Sequence, residues 1–224
     1  MCFSASASFS ASGILTVAGA YCVRKAAQKD RDYLLFAAVP LIFGIQQFSE
    51  GFVWLGLGWG NHLLTVFASH FFLFFAFGFW PFYAPLSVYF AEKEIINKVT
   101  KRFLFFLTAV GLAIGAAAYT PLLTGSLKLT TEVVGHSIAY ATGRPEIIKH
   151  LYVAFYLLAV IPPFLISSDV KLKIFGYLLI FSVILAEIIN QAAFDSVWCF
   201  FAAFLSLFIV YIMLTLPHYK REAT

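Results

Sequence analysis

Two glutamines and a glutamate stand within one short stretch, GIQQFSEGFVW at positions 44 to 54. Gln46, Gln47, Glu50 and Trp54 fall at spacings of three and four, which puts them on one face of a helix. A second set lies far downstream: Glu187, Asn190, Gln191 and Asp195, again at spacings of three and four. His70 stands beside a phenylalanine run. Amides bind through hydrogen bonds of either polarity, and a carboxyl binds by charge or by a donated proton. A carboxyl with an imidazole can exchange protons or hold a divalent cation. Glu50, His70 and Glu187 are the candidate metal ligands, although no HxxxH, HExxH or CxxC accompanies them. Cys2 and Cys199 form a candidate thiol site, as a disulfide or together with the N-terminal amine.

The surroundings make these residues conspicuous. The 224-residue chain is 62% hydrophobic and 12% charged, with mean hydropathy +0.89. A water-soluble domain of that length needs a polar shell that this composition cannot supply. The reading is an all-α, polytopic membrane protein forming a single domain. Seven apolar segments are expected at about 6–23, 33–57, 63–91, 102–122, 148–166, 172–193 and 196–216, each near the ~20 residues of a spanning helix. The opening MCFSASASFSAS has no basic n-region, so no cleavable signal peptide is expected. The net charge of +4 implies no nucleic-acid partner. The expected partners are the bilayer and a small solute or ion.

The basic residues orient the chain. With the N-terminus outside, the inner segments hold Arg24, Lys25, Lys29, Arg31, Lys93, Lys98, Lys101, Arg102, Lys171, Lys173, Lys220 and Arg221, or 12 of the 15. Only Lys128, Arg144 and Lys149 stay outside. That bias predicts N-out and C-in. It also places the longest loop, about 123–147, over the outer mouth. At ~1.5 Å per residue, Glu50, Glu187 and His70 all fall in the outer half of the bilayer. Ionisable groups at that depth are costly and usually mark a site.

Shifting the sequence by 144 residues lays Ile45–Trp54 over Ile189–Trp198. The ungapped match from 33 to 54 shares Tyr33, Leu34, Leu35, Val39, Leu41, Ile45, Gln47, Val53 and Trp54. The expectation is a 3+1+3 parallel repeat about an axis along the membrane normal. Repeat one covers about 6–91 and repeat two about 148–216, with 102–122 as the linker helix. Gln46 and Gln47 would then face Asn190 and Gln191 across that axis.

The stretches MCFSASASF, QQFSEGFVWLGL, FWPFYAPLSV and SVWCFFAAFLS together resemble a family of bacterial membrane proteins of unknown function whose members begin Met-Cys-Phe-Ser-Ala. The resemblance covers essentially the whole chain and implies a bacterial inner-membrane location. It transfers no activity, and directs attention to Cys2, Glu50, Trp54, Trp198 and Cys199. Two readings of function follow from the residues. In the first, a polar cavity in the outer half of the bundle binds a small solute or ion for sensing or transport. In the second, a membrane-embedded enzyme uses a buried Glu/His pair, with metal-assisted hydrolysis as its form. The inner half is nearly free of polar side chains, which disfavours a transport route across it.

Overall fold

The structure is a computed structural model that describes residues 4–92 and 98–217. Helix α1 (Ala5–Lys29) starts at Ser4, whose hydroxyl accepts from Ala7 N at 3.2 Å, as an N-cap does. It packs along α2 (Leu34–Gly58). Small residues permit the close approach: any side chain at Gly19 would collide with the Leu41 backbone, and one at Gly44 would meet Thr16. Helix α3 (His62–Leu73) runs through a π-helical turn at Phe74–Phe79 into α4 (Trp80–Ala91). Helix α5 (Lys98–Leu123) lies against this turn, where Gly111 and Gly115 meet the carbonyls of Pro81 and Gly78. Helix α6 (Glu146–Val160) breaks at Ile161 into α7 (Pro162–Ile166). Helix α8 (Val170–Asn190) is followed by a 3₁₀ turn at Gln191–Ala193, then α9 (Phe194–Ser206) and α10 (Phe208–Leu214).

Six helical stretches are long and apolar enough to cross a membrane by length and composition. The last of them, Val170–Leu214, contains 45 residues. A straight helix of that length would reach ~67 Å, twice a hydrocarbon core. The chain instead folds back at Asn190, whose φ of −160° and ψ of 89° leave the helical region. Its two halves pack together: Trp198 Nε1 on α9 donates to Ser182 Oγ on α8 at 3.0 Å. Lys171 at the start of α8 reaches the Thr215 carbonyl beyond α10 at 3.1 Å.

The segment expected as an outer loop contains a two-stranded antiparallel hairpin, β1 (Thr130–Val134) and β2 (Ser137–Ala141), turning at Gly135 with φ 63°. Positive φ suits glycine there. Strand β2 is buried over four of its five residues. It is pinned to the bundle by Tyr140 stacked on Phe72 at 5.0 Å, while β1 is held by Thr131 Oγ1 bonding Ser69 Oγ at 3.0 Å. Asn190 Nδ2 donates to the Val134 carbonyl at 3.2 Å. The hairpin therefore roofs one end of the bundle.

The opposite end is tied by polar loops. Glu92 accepts from Ser167 Oγ at 2.9 Å and from Ser168 N, and Tyr33 OH donates to Asp169 at 2.5 Å. Lys29 Nζ donates to the carbonyls of Met213 and Leu214. Between the ends lies an apolar core in which Phe36, Phe164 and Phe175 meet edge to face or tilted at 5.1–6.0 Å.

The 144-residue register does not survive as a structural equivalence. Ile45–Trp54 lies wholly inside α2, while Ile189–Trp198 straddles the break between α8 and α9. Gln47 is fully buried and Gln191 is exposed on the 3₁₀ turn. The shared letters reflect an apolar alphabet with Gln and Trp near a helix end, not two copies of one unit.

Candidate ligand site

The polar face of α2 points into the bundle. Gln46, Gln47 and Glu50 are each 0% exposed. Their partners come from two other helices. Trp80 Nε1, at the start of α4, donates to Gln46 Oε1 at 2.7 Å while its ring stacks on Phe43 at 4.1 Å. Ser196 on α9 donates to Glu50 Oε1 at 2.6 Å. The amide nitrogen of Gln46 lies within hydrogen-bonding reach of the buried Cys199 thiol. Trp54, partly buried higher on α2, has an indole N–H with no partner.

The second polar set lies at the roofed end. Asn190 ends α8, and its Oδ1 accepts from Ala193 N at 3.3 Å. Glu187 and Gln191 are exposed and bond each other at 2.6 Å. Asp195 is half-buried in the first turn of α9. His70 turns its ring back on its own helix, with Nδ1–H donating to the Val66 carbonyl at 2.9 Å. Glu50, His70 and Glu187 thus occupy three different settings, and among the described residues no three His, Cys, Asp or Glu side chains converge as a metal site. Cys2 lies outside the described residues.

Three neighbouring cavities lead inward from the roofed end, and none is lined by Gln46, Gln47 or Glu50. A vestibule of about 760 Å³ opens under the hairpin, between the β2–α6 loop, the start of α6 and the α8–α9 junction. Its wall carries Arg144, Lys149, Glu187 and Asp195. A neck of about 20 Å³ shares Phe77, Tyr152, Val153, Phe194 and Asp195 with the vestibule, and ends at Cys199. A slot of about 40 Å³ shares Tyr156, Trp198 and Cys199 with the neck and reaches Phe43, Trp80 and Phe175. The three share walls in turn, charged in the vestibule and aromatic beyond it.

Local structure explains these walls. The π-helical turn carries Phe77, which packs on Tyr152 at 5.7 Å and accepts the Tyr152 hydroxyl on its carbonyl at 3.1 Å. π turns commonly mark functional positions. Arg144 sits over both rings, 5.9 Å from Phe77 and 5.6 Å from Tyr152, and donates to the Ala118 carbonyl at the end of α5. Burial pulls its guanidinium below the ordinary value, and nearby Tyr152 and Asp195 push it back up. Trp198 forms the inner wall, stacked on Phe194 at 5.7 Å and edge to face with Tyr156 at 5.4 Å.

Sequence reasoning missed Arg144, Lys149, Tyr152, Tyr156, Trp80 and Ser196 as site residues. One signal was available for Arg144: it is a basic residue on the side that carries few, next to Pro145 at a helix start. The others gain meaning only from contacts between distant segments. No curated protein and no solved structure matches this chain. A family model does match, over residues 1–222, and the chain belongs to that family, described as a family of unknown function, DUF6629.

Proposed function

We propose that the chain is a multi-pass protein of the cytoplasmic membrane that binds a small polar solute through a cavity open only at its outer face. Seven crossings are proposed, counting Val170–Leu214 as two, with the hairpin end outside. The charge distribution and the fold-back at Asn190 support this topology. A C-terminal reporter active only on the outer side would contradict it. Exposed Phe103, Phe105, Phe106 and Leu112 on α5 and Phe67, Phe71 and Phe74 on the α3 side support faces turned to lipid.

The observation that carries the binding reading is the adjacent series of vestibule, neck and slot. Pockets that bind small molecules are concave, largely apolar and marked by a few converging polar groups. The charged groups of the series all line the vestibule, and the slot beyond Cys199 is lined by apolar residues, with no polar route onward for a solute. That favours a receptor over a conduit. Native mass spectrometry of protein taken from its own membranes tests the reading. A small-molecule adduct is expected on the wild type and is absent from Val153→Trp, which fills the neck. A wild type with no adduct, or an adduct unaffected by Val153→Trp, contradicts it.

A second reading, a membrane-embedded enzyme, is favoured by the Cys199 thiol beside the Gln46 amide donor. An N–H beside a nucleophile can hold an oxyanion. Release of a chemically altered adduct by the wild type but not by Cys199→Ser would move the assignment to that reading.

A further inference from the structure

The vestibule also constrains what it takes. Its wall carries both signs of charge: Arg144 and Lys149 on the β2–α6 side, Asp195 and Glu187 on the α8–α9 side. The two acids differ. Glu187 is exposed and bonded by Gln191, whereas Asp195 is half-buried and lines both vestibule and neck, within electrostatic reach of Lys149 and Arg144. Glu146 and His150 line the same wall, lie 4.0 Å apart and are exposed. The vestibule thus sets Arg144 and Lys149 against Glu146, Glu187 and Asp195, and of these groups Asp195 also lines the neck. Arg144 spends one nitrogen on Ala118 and has further N–H donors to offer. A ligand with only an anion would meet Asp195 at the step, and one with only a cation would meet Arg144 and Lys149. A ligand carrying both charges satisfies all three.

Beyond Asp195 the wall changes character. Tyr152, Tyr156, Phe194 and Trp198 present rings, and past Cys199 the slot is apolar. Ring faces suit an ammonium at their edge and an apolar group against them. The neck and slot, about 20 and 40 Å³, have room for one or a few waters, whereas the vestibule, about 760 Å³ and lined by Phe77, Tyr152 and Phe194, has room for an apolar group against rings.

From these features, and resting on the outward-open binding reading, we infer that the site takes a zwitterionic amphiphile. Its anionic group sits on Arg144 and Lys149, its ammonium on Asp195, and its single apolar group lies in the vestibule against the rings of Phe77, Tyr152 and Phe194. Two sources share that chemistry: a free amino acid with a large apolar side chain, and a single-chain lipid with a phosphoethanolamine head.

Binding to the purified full-length protein, measured by calorimetry, separates them. The probes are L-phenylalanine and lysophosphatidylethanolamine. The controls each lack one charge: 3-phenylpropionate and 2-phenylethylamine for the first, lysophosphatidic acid for the second. One zwitterion is expected to bind at least about tenfold more tightly than its one-charge controls, the scale of one charge-assisted contact. Phenylalanine as the binder assigns the amino-acid source, and the lysolipid assigns the lipid source. Lys149→Gln and Asp195→Asn should each weaken that ligand by about tenfold. Lys149 is exposed, so its variant remains informative if Asp195→Asn folds poorly. Equal binding by a one-charge control overturns the inference. So does failure of both zwitterions while the native adduct is still present on the wild type and absent from Val153→Trp. Loss of that adduct difference instead sinks the binding reading itself.

Discussion

The polar face of α2 and the polar rim at the α8–α9 junction use nearly the same residues and meet opposite fates. Gln46, Gln47 and Glu50 are sealed inside the bundle, with Gln46 tied to Trp80 and Glu50 to Ser196 on other helices. Glu187, Gln191 and Asp195 stand at the edge of the vestibule, where Glu187 and Gln191 bond each other across one helical turn. In a sealed, low-dielectric site each polar atom must find a protein partner, so removing a partner costs its full desolvation. At a wet rim water replaces the lost partner, and surface pairs contribute little. Polar residues in an apolar helix thus report on a site only through the helices they face.

That contrast can be broken by substitution, with stability read from reversible unfolding in mixed micelles. Glu50→Leu should have the largest effect, a loss of about 1–3 kcal/mol, because the buried Ser196 hydroxyl loses its acceptor. Trp80→Phe keeps the ring against Phe43 but strands Gln46 Oε1, and should cost about 1–2 kcal/mol. Asn190→Ala removes both the 3₁₀ cap and the tether to Val134. It should cost about 1 kcal/mol and speed hydrogen exchange across Thr130–Ala141. Glu187→Leu should change stability by no more than about 0.5 kcal/mol. If Glu187→Leu proved as costly as Glu50→Leu, the distinction between sealed and wet sets would be lost.

The sequence made much of the helical framework legible and little of the cavities. Runs of apolar residues mark the helices, and the turn at Gln191–Ala193 falls inside the expected segment 172–193. Burial of Gln46, Gln47 and Glu50 follows from their common face. The face shared by Glu187 and Gln191 misled, because α8 ends at Asn190 and both side chains lie at an exposed end. The hairpin was hidden in a loop whose strands are only five residues each. The vestibule and neck were illegible because they are made by the π turn, the β2–α6 loop, α6 and α9 meeting, and no local period encodes which distant segments meet. Arg144 is a plain loop arginine in the sequence, and the Phe77 and Tyr152 rings make it part of a mouth.

The central claim is that a passage from the hairpin end reaches Cys199. The direct measurement is the rate at which a small, membrane-impermeant methanethiosulfonate modifies Cys199 in sealed right-side-out vesicles, with Cys2→Ser and Cys22→Ser in the background. The account predicts modification from the outside that slows by about tenfold or more in Val153→Trp, a barrier rise of ~1.4 kcal/mol. A Cys199 that is inert from the outside, or that reacts at the same rate in Val153→Trp, would contradict it.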